Sequence, residues 1–142
     1  MADRPDRKPS SSKQLREILE TMVRHLNTEV TADQIRKMTA AFTSVYWEFP
    51  DHAISIRLVL ETDPPAIRLV DDLDGEPGMR IVSNCDVLHD AAWRRRSLGA
   101  AFIAGKLNVR GLNPLHLRRF VLLIKPLLAS YRNAEEDYYG TL

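Results

Sequence analysis

Residues whose side chains can do chemistry are few, and they cluster at one place in the sequence. The single cysteine, Cys85, precedes His89 by four positions, with Asp86 and Asp90 beside them. A zinc site needs three or four converging ligands, and the remaining histidines are distant, at His25, His52 and His116. A catalytic thiol needs a base and an oxyanion hole. We therefore expect no metal and a buried, structural Cys85; an enzymatic role would have to rest on Asp86, His89 and Asp90.

The glycine spacing argues against a nucleotide site. The six glycines nowhere form GxGxxG or GxxxxGK, the patterns whose backbone cradles phosphates. Segment 71–78, DDLDGEPG, is acidic like a calcium loop but lacks that loop's ligand spacing and closing glutamate. The sequence predicts a solvated turn there and no cofactor.

The chain that positions these residues has 142 residues, 44% hydrophobic and 27% charged, which is typical of one globular domain. A lone cysteine excludes an internal disulfide and is typical of a reducing compartment, so we expect a cytoplasmic protein. The first residues, MADRPDRKPSSSK, lack the apolar core of a secretory signal, and no apolar run is long enough to span a bilayer.

The N-terminal half changes from helical to strand periodicity. Ser11 with Gln14, and Thr31 with Gln34, have the capping-box spacing, which predicts one helix from about Ser11 and another over 32–42. The first helix has a stripe of apolar residues at Leu15, Ile18, Leu19, Met22 and Leu26. Alternating apolar residues then predict strands over 45–49, 54–61 and 67–69, separated by short breaks and read as an antiparallel meander.

The C-terminal half returns to helices around two further strands. We predict a strand over 79–84, a helix capped by Asp86 that runs to about residue 96, a helical piece that stops at Gly105, and a strand over 106–110. A last helix begins at Pro114 after Asn113 and ends near residue 132, with a kink at Pro126.

These elements predict an α+β fold with about five strands in a mainly antiparallel sheet that helices cover on one face. The domain spans 11–132, between a disordered tail (1–10) and an acidic tail (133–142). The inner face of the sheet, under the C-terminal helices, is expected to carry Trp47, Ile56, Leu58, Ile67 and Leu107.

The last helix has more apolar side chains than one sheet face can cover. They point in nearly every direction and are Leu115, Leu117, Phe120, Val121, Leu122, Leu123, Ile124, Leu127 and Leu128. Two interpretations follow: a helix buried deeply or in a dimer contact, or a helix that walls or covers a cavity for an apolar ligand.

The stretch AFIAGKLNVRG and the order of elements around it resemble the sterol carrier protein type 2 domain family. That family has an aromatic-containing helix end, then G-K-L-x-[IV]-x-G, then a helix that often closes a ligand tunnel. The residues that match are Phe102, Gly105, Lys106, Leu107, Val109 and Gly111. The resemblance covers about 11–132, nearly the whole chain.

The resemblance implies a non-enzymatic protein that binds or carries an apolar ligand: a sterol, a fatty acyl chain, an isoprenoid quinone or another lipid. The tunnel would lie between the sheet and the C-terminal helices, lined by Trp47, Ile56, Leu58, Phe102, Leu107, Leu117, Phe120, Val121 and Ile124. The alternative is an accessory module whose apolar C-terminal helix packs on a partner protein, an enzyme or a second copy.

Charge is distributed unevenly along the chain. Residues 94–132 carry nine Lys or Arg and no acid, although the whole chain has a net charge of +1. Such a segment attracts phosphates, but its apolar content is unlike a nucleic-acid arm, so no nucleic-acid partner is expected. We predict docking on an anionic membrane through Trp93, Arg94, Arg95, Arg96, Arg118 and Arg119. The alternatives are a solvated basic face, or pairing of these arginines with the acidic segment 71–76.

Overall fold

The computed structural model describes residues 9, 11–40, 42–70, 79–110 and 114–140, without the side chains of 114–117. The expected tail at 1–10, apart from residue 9, and the turn at 71–78 fall outside this range. Helices and strands follow in the order α1 (Ser12–Glu29), α2 (Ala32–Thr39), β1 (Ser44–Phe49), a short 3₁₀ turn (Pro50–His52), β2 (Ile54–Thr62), β3 (Pro65–Val70), β4 (Met79–Ser83), α3 (Cys85–Ala92), α4 (Leu98–Ile103), β5 (Leu107–Arg110) and α5 (Pro114–Gly140).

The five strands form one sheet in the order β3-β2-β1-β4-β5. β1, β2 and β3 pair antiparallel as a meander, β4 pairs antiparallel with β5, and β1 with β4 is the one parallel pair. The α+β class and the mainly antiparallel sheet are thus confirmed.

The register places the predicted inner residues on one face. Trp47 pairs with Ile56 on one side and Ile81 on the other, so the three side chains form a row across the sheet. Trp47, Ile56, Leu58, Ile67 and Leu107 are all buried in the main core. The Trp47 ring also stacks on Phe49, with ring centroids 5.7 Å apart. The centre of this face is therefore closely packed.

The helices that cover the sheet include the N-terminal pair, which the sequence did not place there. α1 contacts β3, and α2 contacts β2 and β3. On the other side of the sheet order, α3 contacts β4 and α4 contacts β5. The buried stripe of α1, from Leu15 to Leu26, supplies much of this core. α5 packs mainly on α1, α3 and α2.

The predicted cap at the start of α2 and the predicted stop at the end of α4 both form, whereas Asp86 lies inside α3 rather than capping it. The Thr31 hydroxyl accepts from the Gln34 N–H, and the Gln34 side chain accepts from the Thr31 N–H, which satisfies two donors at the start of α2. At the end of α4, Gly105 has φ +76° and the Lys106 N–H donates to the Ala101 carbonyl. This is the Schellman arrangement, which favours glycine at the left-handed position.

Three predicted helix ends are wrong. α2 ends at Thr39 rather than at residue 42, α3 ends at Ala92 rather than near residue 96, and α5 continues to Gly140 through the predicted acidic tail. The extension of α5 is fixed by packing, because Tyr131, Ala134 and Tyr139 are buried. α5 also includes Pro126 within one helix.

Candidate functional site

Three large hydrophobic side chains are exposed in the described part of the chain, and all lie on α4 or α5. Ile103 is 87% exposed, Phe102 50% and Val121 44%. Their neighbour Ala101 points inward and is buried. α4 therefore fixes its position through Ala101 while presenting its larger side chains to solvent.

An apolar cleft lies between the start of α4 and the middle of α5. Its volume is about 400 Å³, and its apolar walls include Ala91, Leu98, Ile124 and Leu128. Val121 lies three positions before Ile124, and Phe102 four after Leu98, so each shares a helix face with a wall of the cleft. We call Leu98, Phe102, Ile103, Val121, Ile124 and Leu128 the apolar surface.

Basic side chains border the apolar surface. Arg94, Arg95 and Arg96 line the same cleft and are exposed, as are Arg118 and Lys125 on α5. Lys125 follows Val121 by four positions, which places it on the same side of α5. We call Arg94, Arg95, Arg96, Arg118 and Lys125 the basic rim.

Hydrogen bonds shape the linker that carries three of these arginines. The N–H groups of Arg94 and Arg95 donate to the carbonyls of Ala91 and Asp90. Arg94 adopts φ 60°, a left-handed conformation that disfavours an L side chain. The chain thus turns sharply out of α3 and presents consecutive arginines to solvent. Arg119, also predicted for docking, is half-buried.

Trp93, predicted for membrane docking, makes interior contacts in this structure. Its indole N–H donates to Oε1 of Glu135 at 2.6 Å, and the Arg132 guanidinium lies 4.5 Å from the ring centroid. Trp93 is half-buried, so it holds the start of the arginine linker against α5. Its contact with a membrane remains a prediction.

Glu135 belongs to a buried polar cluster between α3 and α5 that the sequence analysis did not find. His89 and Glu135 are fully buried, and Nδ1 of His89 lies 2.9 Å from Oε2 of Glu135. Sγ of Cys85 lies 3.6 Å from the Tyr131 hydroxyl. We call His89, Trp93, Glu135, Tyr131 and Cys85 the buried cluster.

Two side chains of the buried cluster, Cys85 and Tyr131, have raised pKa values. Burial raises the pKa of the Cys85 thiol from 9.0 to about 12, and the nearby Asp51, Glu135 and Asp86 carboxylates add to the effect, while the Tyr131 contact opposes it. Burial likewise raises the pKa of Tyr131 well above its usual value. A protonated thiol is a poor nucleophile, which agrees with the structural role expected for Cys85.

The structure separates the predicted acid–base residues. Asp86 and Asp90 are one helical turn apart and line a polar pocket of about 530 Å³ with Arg96 and Lys106. His89 points instead to Glu135 in the interior, because adjacent positions on a helix differ by about 100° in direction. Within the described residues, no three His, Cys, Asp or Glu side chains come together as a metal site.

The residues predicted to line a tunnel fall into two groups. Trp47, Ile56, Leu58 and Leu107 are buried on the inner sheet face, where the Trp47 indole N–H donates to the Ser83 hydroxyl at 3.1 Å. Phe120 and Ile124 are partly buried against the same core, whereas Phe102 and Val121 are exposed. The side chain of Leu117 lies outside the described residues.

No helix among the described residues is long and apolar enough to cross a bilayer.

Several solved structures share the fold of this chain over most of its length. The ubiquinone synthesis protein UbiJ-SCP2 aligns with a TM-score of 0.58 and 16% identity over 81% of this chain and 97% of its own. The sterol carrier protein domain 2 of Helicoverpa armigera aligns with a TM-score of 0.57 and 14% identity over 79% and 88%. The chain has the sterol carrier protein 2 fold. A crystal structure of sterol carrier protein 2 also matches, with a TM-score of 0.53 and 17% identity over 81% and 93%.

The same fold also matches part of a larger enzyme. The sec-alkylsulfatase Pisa1 from Pseudomonas sp. aligns with a TM-score of 0.52 and 21% identity over 69% of this chain, but this covers only 15% of the sulfatase. No protein-family model and no curated protein matches the sequence. The likeness to a sterol carrier protein 2 domain, expected from GKLNVRG and the order of elements, is confirmed at the level of the fold.

Proposed function

We propose that this protein binds an apolar lipid at the apolar surface and carries it without chemical change. The observation that supports this most is the location of the exposed hydrophobic side chains. Phe102, Ile103 and Val121 lie on α4 and α5, the two helices that supply Leu98, Ile124 and Leu128 to the apolar walls of the cleft. Burying an apolar chain there is favourable by about 0.8 kcal/mol per methylene.

The ligand path that we propose leads from the cleft toward the inner face of the sheet. Phe120 and Ile124 pack partly against the core, so a chain that displaces them would meet Leu107 and then Trp47. Leu117, Ile56 and Leu58 complete the proposed lining. Binding of this kind requires α5 to move relative to the sheet.

The structural neighbours support lipids as the ligand class. Sterol carrier proteins are named for sterols, and UbiJ-SCP2 is a ubiquinone synthesis protein. We therefore propose a sterol, a fatty acyl chain or an isoprenoid quinone as ligand. The buried, protonated Cys85 and the interior position of His89 favour binding without catalysis.

Binding of a fluorescent fatty acid in solution, without vesicles, tests this proposal. Val121→Glu and Phe120→Glu should abolish probe binding, because each places a carboxylate in the apolar surface or the path behind it. Ala32→Glu, which adds the same charge at an exposed position at the start of α2, should bind like the wild type. Native mass spectrometry of the purified protein should show a copurified lipid. Absence of both probe binding and copurified lipid would refute the proposal.

The sulfatase match favours a second candidate, an accessory module. Since the aligned region covers 15% of that enzyme's chain, the fold also exists as one part of a larger protein. In this case the apolar surface would pack on a partner protein or a second copy. Light scattering during size-exclusion chromatography would then show a complex that Val121→Glu dissociates, and probe binding would be absent.

A further inference from the structure

We infer that the apolar surface and the basic rim together form a docking surface for an anionic lipid bilayer. This extends the proposed function by naming the membrane from which a lipid would be taken, but it depends on exposure and charge rather than on ligand binding. Ile103, at 87% exposed, has the largest exposed fraction of the large hydrophobic side chains that the structure describes. An amphipathic surface of this kind inserts apolar side chains at the headgroup level while cations contact lipid phosphates.

Charge complementarity favours a bilayer of negative lipids as the partner. All five rim residues are exposed cations, and 94–132 contains no acid. Asp86 and Asp90, the acids before the arginine linker, line the separate polar pocket that Arg96 also borders. The exposed acid nearest to them on α5 is Glu136, which borders a neighbouring depression together with Arg94, Lys125 and Arg132. The surface thus carries five cations against three acids at its edges, which leaves it net positive.

Only a few side chains of α4 and α5 could enter a bilayer, which agrees with a peripheral contact rather than a membrane-spanning one. Phe102, Ile103 and Val121 project from short exposed faces, while Ala101 and Leu123 on the same helices are buried in the protein. The helices thus stay folded on the domain and contribute only their outer side chains. The mouth of the apolar cleft would face the lipid, since Arg94, Arg95 and Arg96 line the cleft itself.

Cosedimentation of the full chain with vesicles tests the inference. The vesicles are phosphatidylcholine alone and phosphatidylcholine mixed with phosphatidylglycerol, each at low and high salt and without added ligand. Binding should require phosphatidylglycerol and fall with salt, because screening shortens the range of these charges to about 8 Å at physiological ionic strength. The variant Arg94→Ala/Arg95→Ala/Arg96→Ala should partition about a hundredfold more weakly, since each cation contributes about fivefold.

A matched variant separates local docking from net charge. Arg24→Ala/Arg36→Ala/Lys37→Ala removes the same charge from exposed positions on α1 and α2 and should bind nearly as well as the wild type. Ile103→Ser leaves the charge unchanged and should weaken binding several-fold if the apolar side chain inserts.

Three outcomes would overturn the inference: no binding to anionic vesicles at low salt, equal binding to both vesicle types, or equal losses in the two triple variants. Circular dichroism and the melting temperature establish that each variant is folded. The probe assay in solution is separate, so docking can fail while lipid binding stands, and the reverse.

Discussion

Replacing Glu135 with alanine should destabilise the domain strongly. The Glu135 carboxylate is fully buried and contacts Nδ1 of His89 in α3 at 2.9 Å and the indole N–H of Trp93, the residue after α3, at 2.6 Å. Alanine removes the acceptor of the Trp93 indole N–H and of His89 Nδ1. Because His89 is fully buried, water does not replace the lost bond at Nδ1.

The magnitude follows from the two orphaned groups. A buried donor that loses its partner costs about 1–3 kcal/mol. We therefore expect Glu135→Ala, which affects two donors, to lower the free energy of unfolding by about 2–6 kcal/mol. Glu135→Gln keeps an oxygen for Trp93 and offers an amide to His89, whose ring nitrogen can then accept, so its loss should be about 1–2 kcal/mol.

Urea unfolding followed by far-UV circular dichroism measures these losses. Glu136→Ala is the control: it removes the same side chain at the next, exposed position and should change stability by no more than about 0.5 kcal/mol. A loss below about 1 kcal/mol for Glu135→Ala, or equal losses for alanine and glutamine, would refute the role assigned to these hydrogen bonds. Because Trp93 starts the arginine linker and loses its acceptor in Glu135→Ala, this variant should also bind vesicles more weakly than Glu135→Gln.

Three further changes test other contacts. The free energy of unfolding should fall as pH rises above 9, since unfolding lets the Cys85 thiol ionise at 9.0 rather than about 12; in Cys85→Ala, urea titrations should show a decline smaller by about 1.4 kcal/mol per pH unit. Asn27 exchanges two 2.8 Å hydrogen bonds with the Ile67 backbone, so Asn27→Ala should cost about 1–2 kcal/mol in urea unfolding. By the same method Gly105→Ala, at φ +76° with open space around its Cβ, should cost about 1 kcal/mol, whereas Gly99→Ala inside α4 should stabilise by about 0.5–1 kcal/mol.

Features encoded within a few residues were predictable from the sequence. The Thr31 and Gln34 capping box, the stop at Gly105 and the alternation through Trp47 each depend on contacts between close positions. The order of these elements then limited the fold to one sheet with helices on one face. The parallel pairing of β1 with β4 follows from where the chain crosses the sheet, which short patterns do not encode.

Contacts across long sequence distances were not predictable in this way. The N–H of Cys85 donates to the Asp51 carboxylate at 3.1 Å, although the sequence suggested Asp86 as the cap of this helix. The Asn84 side chain, at the capping position, makes no capping hydrogen bond. The cap of α3 therefore comes from a residue 34 positions away, which only the folded chain brings near.

The extension of α5 is visible in the sequence as apolar residues at helical spacing beyond residue 128. Leu123, Leu127, Tyr131 and Ala134 are buried and recur every three or four positions, as one face of a helix does. This period continues through Arg132 into the segment interpreted as an acidic tail. Acidic composition suggested solvent exposure, but Glu135 occupies that same buried face and is satisfied by Trp93 and His89.

The two halves of α5 thus use their apolar residues differently. Its second half packs on α1, where Nε2 of His25 lies 2.6 Å from Oδ2 of Asp137 and the Tyr138 hydroxyl donates to Glu17. Its first half has no acid and presents Val121 and the cleft wall to solvent. Since one half is committed to the interior, α5 can expose apolar side chains beside cations without unfolding. Changes at the exposed face should therefore alter lipid or membrane binding, whereas changes at the buried positions beyond Arg132, such as Ala134 and Glu135, should alter stability.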